Sequence, residues 1–175
     1  MMMEDADLIL AARAGDQEAL SKLLIARQTK LYKTAYLYVH TQADALDVVQ
    51  ETSLRALLSI GKLRQPQYFD TWLIRILINV AQKVYRQQTN TIPFVPEITG
   101  DSTLTDLHAD LMSDLAMIPE NFRVVLILFY FNDLEVEEIA RVLRIPAGTV
   151  RSRLTRGRKM LRERGAVYRE YRLER

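Results

Sequence analysis

Apolar residues along the chain recur at intervals of three and four, which is the period of an amphipathic α-helix. No segment shows a convincing alternation of apolar and polar residues, and glycines are few. The pattern therefore predicts an all-α protein. The first half is predicted to hold four helices, over residues 5–14, 17–39, 42–60 and 70–88. Gly15 suits the turn after the first helix, and Asp16 and Asp70 suit the N-caps of the second and fourth.

The periodic pattern breaks at residues 89–105, where the sequence TNTIPFVPEITGDSTLT holds two prolines and a glycine. Prolines make such a segment stiff and extended, and we interpret it as a linker. It separates a predicted helical domain at residues 1–88 from a second one at residues 106–175. The second domain is predicted to continue, after a first helix, with a largely buried helix that Pro119 opens.

Two helices joined by a tight turn are predicted at residues 135–164. In the first, apolar residues recur along one stripe from Val136 to Leu143. Pro146 lacks the N–H that a helix interior needs, so it breaks the pattern and suits the first turn of the next helix. At about 100° per residue, one face of that helix is small or apolar and the other is basic and polar. The first face carries Val150, Leu154, Gly157 and Leu161, and the second carries Arg151, Ser152, Thr155, Arg156 and Lys159.

A short helix held by a partner across a turn of three or four residues has the geometry that places side chains in the major groove of DNA. Arg and Lys pair with phosphates or guanine edges, and Ser and Thr bond to bases or backbone. A solvated surface is the simpler interpretation of an isolated basic helix. Here the small Ala140, the buried position of Val150 and the clustering of basic residues favour a DNA-binding helix-turn-helix.

Charge is distributed unevenly along the chain, although the net charge is only +2. Residues 1–88 carry 11 basic and 9 acidic side chains, and residues 89–140 carry 1 basic and 10 acidic ones. Residues 141–175 carry 12 basic and 3 acidic side chains, which gives this segment a net charge of +9. The asymmetry indicates a polyanionic partner for the C-terminal segment.

Composition excludes several other classes of function. There is no cysteine, so neither a disulfide framework nor a thiolate metal site is predicted. The two histidines, His40 and His108, are far apart, and no glycine-rich phosphate loop is present. We therefore predict no metal, no cofactor and no small-molecule substrate. The longest apolar run is too short to span a bilayer, and the N-terminus is acidic where a signal peptide is basic. A cytoplasmic protein without membrane insertion is expected.

The helix over residues 42–60 has a predicted inward stripe of Leu46, Val49, Ser53, Ala56 and Leu57. The residues predicted to face outward are Asp44, Asp47, Val48, Glu51 and Arg55. An acidic face with one aliphatic residue can bind a basic protein surface. From these residues alone, a solvated face is the simpler interpretation.

The helix over residues 70–88 has a polar outward stripe that can contact phosphates and bases. It consists of Arg75, Asn79, Gln82 and Arg86, with Lys83 beside it. The aromatic residues Tyr68, Phe69 and Trp72 lie just before it or in its first turn, and aromatics next to basic residues are typical of single-strand binding. The alternative is that Phe69 and Trp72 belong to the hydrophobic core.

Three stretches of the chain resemble a known family in their order and spacing. They are DALDVVQETSLRAL from Asp44, FDTWLIRILINVAQKVYR from Phe69, and IPENFRVVLILFYFNDLEVEEIARVLRIPAGTVRSRLTRGRKMLR from Ile118. Together they resemble a bacterial RNA polymerase sigma factor of the extracytoplasmic-function type, the minimal two-domain kind within the sigma-70 family. The resemblance implies a protein that directs promoter-specific initiation and is usually held inactive by an anti-sigma factor.

The resemblance also implies a role for each surface. The segment that binds core RNA polymerase matches Asp44, Asp47, Val48, Glu51 and Arg55. The part that recognises and opens the −10 element, where a base is flipped into a loop pocket, matches Tyr68, Phe69, Arg75, Asn79, Gln82, Lys83 and Arg86. The helix that recognises the −35 element matches Thr149, Arg151, Ser152, Thr155, Arg156 and Lys159. The linker resembles the segment that threads toward the RNA exit path.

One residue departs from the family pattern, and alternatives to a sigma factor follow from the same sequence. Lys83 stands where the family commonly has Asp, which reverses a charge beside the −10 surface. A stand-alone helix-turn-helix regulator that binds an operator is the nearest alternative, but it does not need a second nucleic-acid surface around Arg75. A helical enzyme lacks a ligand-spaced cluster here, and a pure interaction protein leaves the basic C-terminal segment unexplained.

Overall fold

The structure is a computed structural model that describes residues 3–89 and 114–164. The chain divides into two compact units, Met1–Phe94 and Val95–Arg175. All regular elements within the described residues are helical, so the prediction of an all-α protein is confirmed. The predicted linker lies outside the described residues beyond Thr89, as does most of the helix predicted from residue 106, of which residues 114–116 are helical.

Within residues 3–89, the first unit contains four α-helices and two short 3-10 turns. The helices are α1 (Met3–Arg13), α2 (Gln17–Val39), α3 (Gln42–Ser59) and α4 (Phe69–Thr89), and the 3-10 turns Ile60–Lys62 and Pro66–Tyr68 lie between α3 and α4. Helix α2 packs against the other three helices, and the core is formed mainly by leucine, alanine and aromatic side chains. This arrangement supports the loop before α4 and leaves one side of α3 and one side of α4 toward solvent.

Local sequence signals set the boundaries of these helices. Gly15 has φ +106° after α1, and the Asp16 carboxylate accepts hydrogen bonds from the N–H groups of Glu18 and Ala19, as the sequence predicts. Thr41 caps α3 through its hydroxyl, which accepts from the N–H of Asp44 at 3.2 Å. The prediction that Asp70 caps α4 is wrong. The helix begins one residue earlier, at Phe69, and the Asp70 carboxylate instead pairs with Arg27 of α2.

The second unit contains α5 (Glu120–Tyr130), α6 (Val136–Leu143) and α7 (Ala147–Arg164). Glu135 and Glu138 form a reciprocal capping box at the start of α6. Arg144 ends α6 in the left-handed region at φ 55°, and the Ile145 N–H then bonds to the carbonyl of Ala140 at 3.1 Å. The carbonyl of Pro146 accepts from Thr149 and Val150, so α7 begins at once. These bonds make the tight turn of the predicted helix-turn-helix.

Close packing of α7 against α5 depends on Gly157. A Cβ at that position would lie 3.0 Å from Leu126 Cδ1 and 3.2 Å from its Cγ, because Gly157 is buried against the middle of α5. Helix α5 is buried along Arg123–Leu128, including the arginine, whose Nη1 donates to the Ala116 carbonyl at 3.2 Å. The glycine therefore fixes how near α7 lies to the core of this unit.

Candidate nucleic-acid interface

Helix α7 has the two faces that the sequence predicts. Val150, Leu154, Gly157 and Leu161 are buried against α5 and α6. The side chains on the opposite face are exposed, namely Arg151, Ser152, Thr155, Arg156 and Lys159, while Thr149 in the first turn is half-buried. Cationic and hydroxyl groups therefore project from one continuous stripe of an exposed helix. Such a stripe can enter a DNA groove and contact both base edges and phosphates.

The hydrogen bonds on this stripe are all at the surface. The Arg151 guanidinium pairs with the Glu137 carboxylate of α6 at 2.7 Å, with side-chain exposures of 62% and 63%. The Ser152 and Thr155 hydroxyls donate to the carbonyls of Thr149 and Arg151 within the helix. Exposed ion pairs contribute about 0–1 kcal/mol. The stripe is therefore held weakly, and its donors can exchange their partners for those of a nucleic acid.

Arg158 has a different role from the other basic residues of α7. Its Nε donates to the Tyr130 hydroxyl at 2.7 Å, and its guanidinium lies over the Phe129 ring, 5.2 Å from the ring centroid. These contacts join α7 to the end of α5 and stabilise the unit. The spacing of residues along α7 cannot show that Arg158 contacts α5. The sequence hint for this contact is the aromatic pair Phe129 and Tyr130 at the end of α5.

The outward stripe of α4 is also present as the sequence predicts. Leu73, Leu77, Val80 and Ala81 are buried, and the other side of the helix is polar. On that side Asn79, Lys83 and Arg86 are exposed, and Arg75 and Gln82 are half-buried. The stripe combines amide and cationic groups, which suit both base edges and phosphates. It is a second candidate nucleic-acid surface, on a different unit from α7.

The prediction that Phe69 lies on this nucleic-acid surface is wrong. Its side chain is only 1% exposed, with the Arg27 guanidinium 5.0 Å from its ring centroid and the Trp72 ring at 5.7 Å. The alternative, that Phe69 belongs to the core, is therefore correct, because the ring fills the junction between α2 and α4. Trp72 is half-buried. Tyr68, in the loop before α4, is 39% exposed, and an exposed aromatic ring can stack on a base.

The prediction of an exposed Val48 on α3 is also wrong, and the helix is rotated relative to the predicted stripe. The buried residues are Ala45, Val48, Thr52 and Ala56. Leu46 and Leu57, which were predicted to face inward, are 45% and 42% exposed. The small side chains allow α3 to approach α2 and α4 closely, whereas leucines at those positions would hold the helices apart. The pattern of large apolar residues therefore gave the wrong face.

The exposed side of α3 is both acidic and apolar. Asp47 is exposed, Asp44 is half-buried, and Glu51 and Arg55 form an ion pair at 2.7 Å with side-chain exposures of 42% each. Leu54 and Leu58, at 51% and 73% exposed, extend the apolar part. Contiguous exposed leucines are unusual on a monomer and indicate a protein-binding surface. Four of the five residues predicted to face outward are therefore exposed or half-buried. The sequence pattern did not predict that Leu54 and Leu58 are exposed on the same side.

Within residues 3–89 and 114–164, no helix has the length and apolar content that crossing a membrane requires. In the same part of the chain, no three potential His, Asp or Glu ligands come together as a metal site.

Comparison with known proteins gives consistent family matches for both units. A family model described as Sigma-70 region 2 matches residues 23–91, and a model described as Sigma-70, region 4 matches residues 109–161. The first match includes α3 and α4, and the second includes α5, α6 and α7. Each candidate surface therefore lies inside a matched region.

Curated relatives are similar over most of their length. RNA polymerase sigma factor SigV of Bacillus subtilis is 35% identical over 139 residues, with 75% of this chain and 81% of the relative covered. The RNA polymerase sigma-H factor of Pseudomonas aeruginosa is 31% identical over 178 residues, with 90% and 92% covered. The ECF RNA polymerase sigma factor SigW of Bacillus subtilis is 28% identical over 174 residues, with 89% and 93% covered.

Two solved structures have a similar fold. CnrH, in complex with the cytosolic domain of CnrY, has a TM-score of 0.72 at 25% identity, with 91% of this chain and 96% of that chain covered. The sigma factor RpoE of Bartonella quintana, in complex with the anti-sigma factor NepR, has a TM-score of 0.68 at 23% identity, with 82% and 94% covered. The second likeness supports the fold alone.

Proposed function

Because the chain belongs to the sigma-70 family of RNA polymerase sigma factors, as an extracytoplasmic-function member, we propose how its surfaces divide the work of promoter-specific initiation. The first unit binds core RNA polymerase and opens the −10 element, and the second unit recognises the −35 element. The domains are residues 1–88 and 106–175, joined by residues 89–105. The protein acts as a transcription factor in the cytoplasm and not as an enzyme.

The polymerase-binding surface in this proposal is the exposed side of α3. Asp44, Asp47, Glu51 and Arg55 supply charge, and the exposed leucines supply apolar area that a partner can bury. Val48 is not part of this surface because its side chain is buried. An apolar centre with a charged rim is the usual anatomy of a protein interface. An anti-sigma factor that covers this side of α3 would block polymerase binding.

The −10 surface consists of the loop before α4 and the polar side of that helix. Tyr68 offers an exposed aromatic ring, and Asn79 and Gln82 offer amide groups that can both donate and accept. Arg75, Lys83 and Arg86 bind the strand backbone. Extruding a base costs a few kcal/mol in lost stacking, which contacts of this kind must offset.

The −35 surface is the exposed stripe of α7. Arg151 and Arg156 are exposed and can contact guanine edges or phosphates, and Thr149, Ser152, Thr155 and Lys159 complete the proposed contact surface. One observation carries the whole proposal: a single chain presents two polar, cation-bearing helix faces, on α4 and α7, in two separate compact units. A stand-alone regulator needs only the second of them.

The test is transcription from genomic DNA by core polymerase mixed with this protein. The wild-type protein is expected to direct initiation at a defined set of promoters in a genome-wide run-off assay. The double variant Asp47→Lys with Glu51→Lys is expected to bind core polymerase more weakly while remaining folded, because it reverses two charges on the proposed interface. Glu18→Lys, a single charge reversal at an exposed position of α2, is a control for the change of charge alone.

Two results would contradict the proposal in different ways. Initiation at no promoter would remove the assigned function. Tight binding to a duplex site without polymerase, with no initiation when polymerase is added, would favour the stand-alone regulator instead. Unchanged polymerase affinity in the double variant would remove only the assignment of α3.

A further inference from the structure

Arg27 of α2 joins three separate parts of the first unit. Its Nε donates to the carboxylate of Asp70 at the start of α4, and its Nη2 donates to the carboxylate of Asp5 in α1 at 3.2 Å. Nη1 donates to the Leu23 carbonyl at 3.2 Å, and the guanidinium lies over the Phe69 ring at 5.0 Å. The side chain is only 14% exposed. Its donors are thus used on every side.

The electrostatic environment of Arg27 keeps this junction charged. Burial lowers the pKa of the guanidinium, but hydrogen bonding and attraction to Asp70, followed by those to Asp5, outweigh burial and raise the pKa overall. A buried charge with two carboxylate partners forms charge-assisted bonds that are stronger than neutral ones. Since two of its four contacts are to Phe69 and Asp70, the start of α4 is fixed to α2 in position and direction.

The position of this junction matters because of what lies next to it along the chain. Phe69 directly follows the 3-10 turn Pro66–Tyr68, so the ring and its partner Arg27 hold one end of the loop. Tyr68, the exposed aromatic residue of the proposed −10 surface, is the immediate neighbour of Phe69. A shift at Phe69 therefore moves Tyr68 directly, before any residue farther along α4.

We propose that Arg27 is a positioning residue for base capture at the −10 element, and that it acts through Asp70 and Phe69 to hold Tyr68 and the loop before α4 in a capture-competent arrangement. The inference rests on the assignment of this surface to the −10 element. A preorganised loop captures an unstacked base without first losing its own conformational freedom, so more of the contact energy is available to offset unstacking. Arg27 itself contacts no nucleic acid in this proposal.

The network offers a matched pair of variants, because its two carboxylates differ in what they connect. Asp70→Ala removes the connection to α4, and Asp5→Ala removes the connection to α1. Both residues lie in the first turn of a helix, so the loss of a favourable charge near the helix N-terminus is similar in the two variants. Helix α1 keeps its buried Ile9 and Ala12 contacts without Asp5. Only the first change releases the loop directly.

The experiment measures base capture by the holoenzyme. Core polymerase is reconstituted with each variant and mixed with fluorescent non-template-strand oligonucleotides that span the −10 element of a promoter found in the run-off assay. Each oligonucleotide is compared with versions that carry an abasic site at one position, and the captured base is the one whose loss weakens wild-type binding most. The readout is the ratio of the two affinities, which a general loss of folded protein would not change.

In Arg27→Met and Asp70→Ala, the preference for the intact strand should fall about tenfold, the size of effect expected for a lost bond to a charged group. In Asp5→Ala it should stay within about twofold of wild type, which is below the loss of one such bond.

Urea unfolding of all variants measures the structural cost, and Asp70→Ala provides the test even where Arg27→Met does not fold. An unchanged preference in Asp70→Ala, or an equal fall in Asp5→Ala, would overturn the inference. Absence of any abasic effect in the wild-type holoenzyme would instead contradict the assignment of the −10 surface.

Discussion

Two arginines next to the two proposed DNA surfaces are held in opposite ways. Arg27 is 14% exposed. It contacts the carboxylates of Asp5 and Asp70, the carbonyl of Leu23 and the ring of Phe69. Arg151 on α7 is 62% exposed and has one partner, Glu137, which is equally exposed. Breaking a buried ionic contact leaves a charge without compensation, whereas an exposed pair separates at little cost. The first arginine is built to stay in place, and the second is available to exchange its partner.

The difference matches the tasks we propose for the two surfaces. Opening the −10 element requires a fixed loop that receives a displaced base, so rigidity at the start of α4 lowers the cost of capture. Recognition of the −35 element requires donors that leave a surface partner and bind DNA. We therefore predict that variants on the exposed stripe of α7 change DNA binding without changing stability, whereas variants of the α7 residues that pack against α5 change stability.

The largest effect is expected from removing the two exposed arginines of the α7 stripe. Arg151→Ala and Arg156→Ala should each weaken binding to −35 DNA by about 1–3 kcal/mol if the guanidinium contacts a base edge. The free energy of unfolding should change little, because both side chains are exposed. Binding to matched duplexes with and without the −35 element, followed by fluorescence anisotropy, measures the loss.

Arg158→Ala is the matched control for these substitutions. It removes the same charge from the same helix, but its side chain contacts Tyr130 and Phe129. We expect it to lower stability rather than sequence discrimination. If Arg151→Ala and Arg156→Ala weaken binding equally to all duplexes, the two residues contact phosphates and not bases.

Overpacking the second unit with Gly157→Val is expected to cost about 1–3 kcal/mol of stability, which is less than the summed effect of the two arginine substitutions on binding. Leu126 Cδ1 would lie only 3.0 Å from the new Cβ, and the two further methyl groups of valine add to the crowding, so we expect α7 to move away from α5. The displacement should weaken −35 binding as a consequence of the altered fold. Urea unfolding followed by circular dichroism gives the change in stability, and normal stability would show that Leu126 can shift aside.

Sequence reasoning succeeded where a face was defined by strong contrast between residue types. The stripes of α4 and α7 set leucine and valine against arginine and amides, so the period of the helix identified both faces. It failed on α3, where Ala45, Thr52 and Ala56 form the packing side and several leucines face solvent. The size of an apolar side chain therefore predicts burial poorly when the surface that carries it can bind another protein.

Contacts between residues far apart in the chain were the second feature that the sequence pattern did not predict. Local sequence left Phe69 open between a stacking role and the core, and the family resemblance assigned it to the −10 surface. Its ring is buried beside Arg27, 42 positions earlier in the chain. Asp70 was predicted to cap α4, because its position in the sequence suggests only contacts with nearby residues. The contact that unites Arg27 with both residues depends on how α2 packs against α4, which the sequence pattern does not specify.

The smallest effect is expected from Glu137→Gln, which removes only the carboxylate that Arg151 contacts on α6. An exposed pair of this kind contributes about 0–1 kcal/mol, so the unfolding midpoint should move little. Affinity for −35 DNA should rise slightly, because Arg151 no longer has to leave an anionic partner and one negative charge near the phosphates is lost. The gain should be largest at low salt and vanish as salt screens the remaining charges, which anisotropy titrations across a salt series would measure. Weaker −35 binding in this variant would show instead that Glu137 orients Arg151 for its contact, and the contrast between a fixed and an exchangeable arginine would then fail.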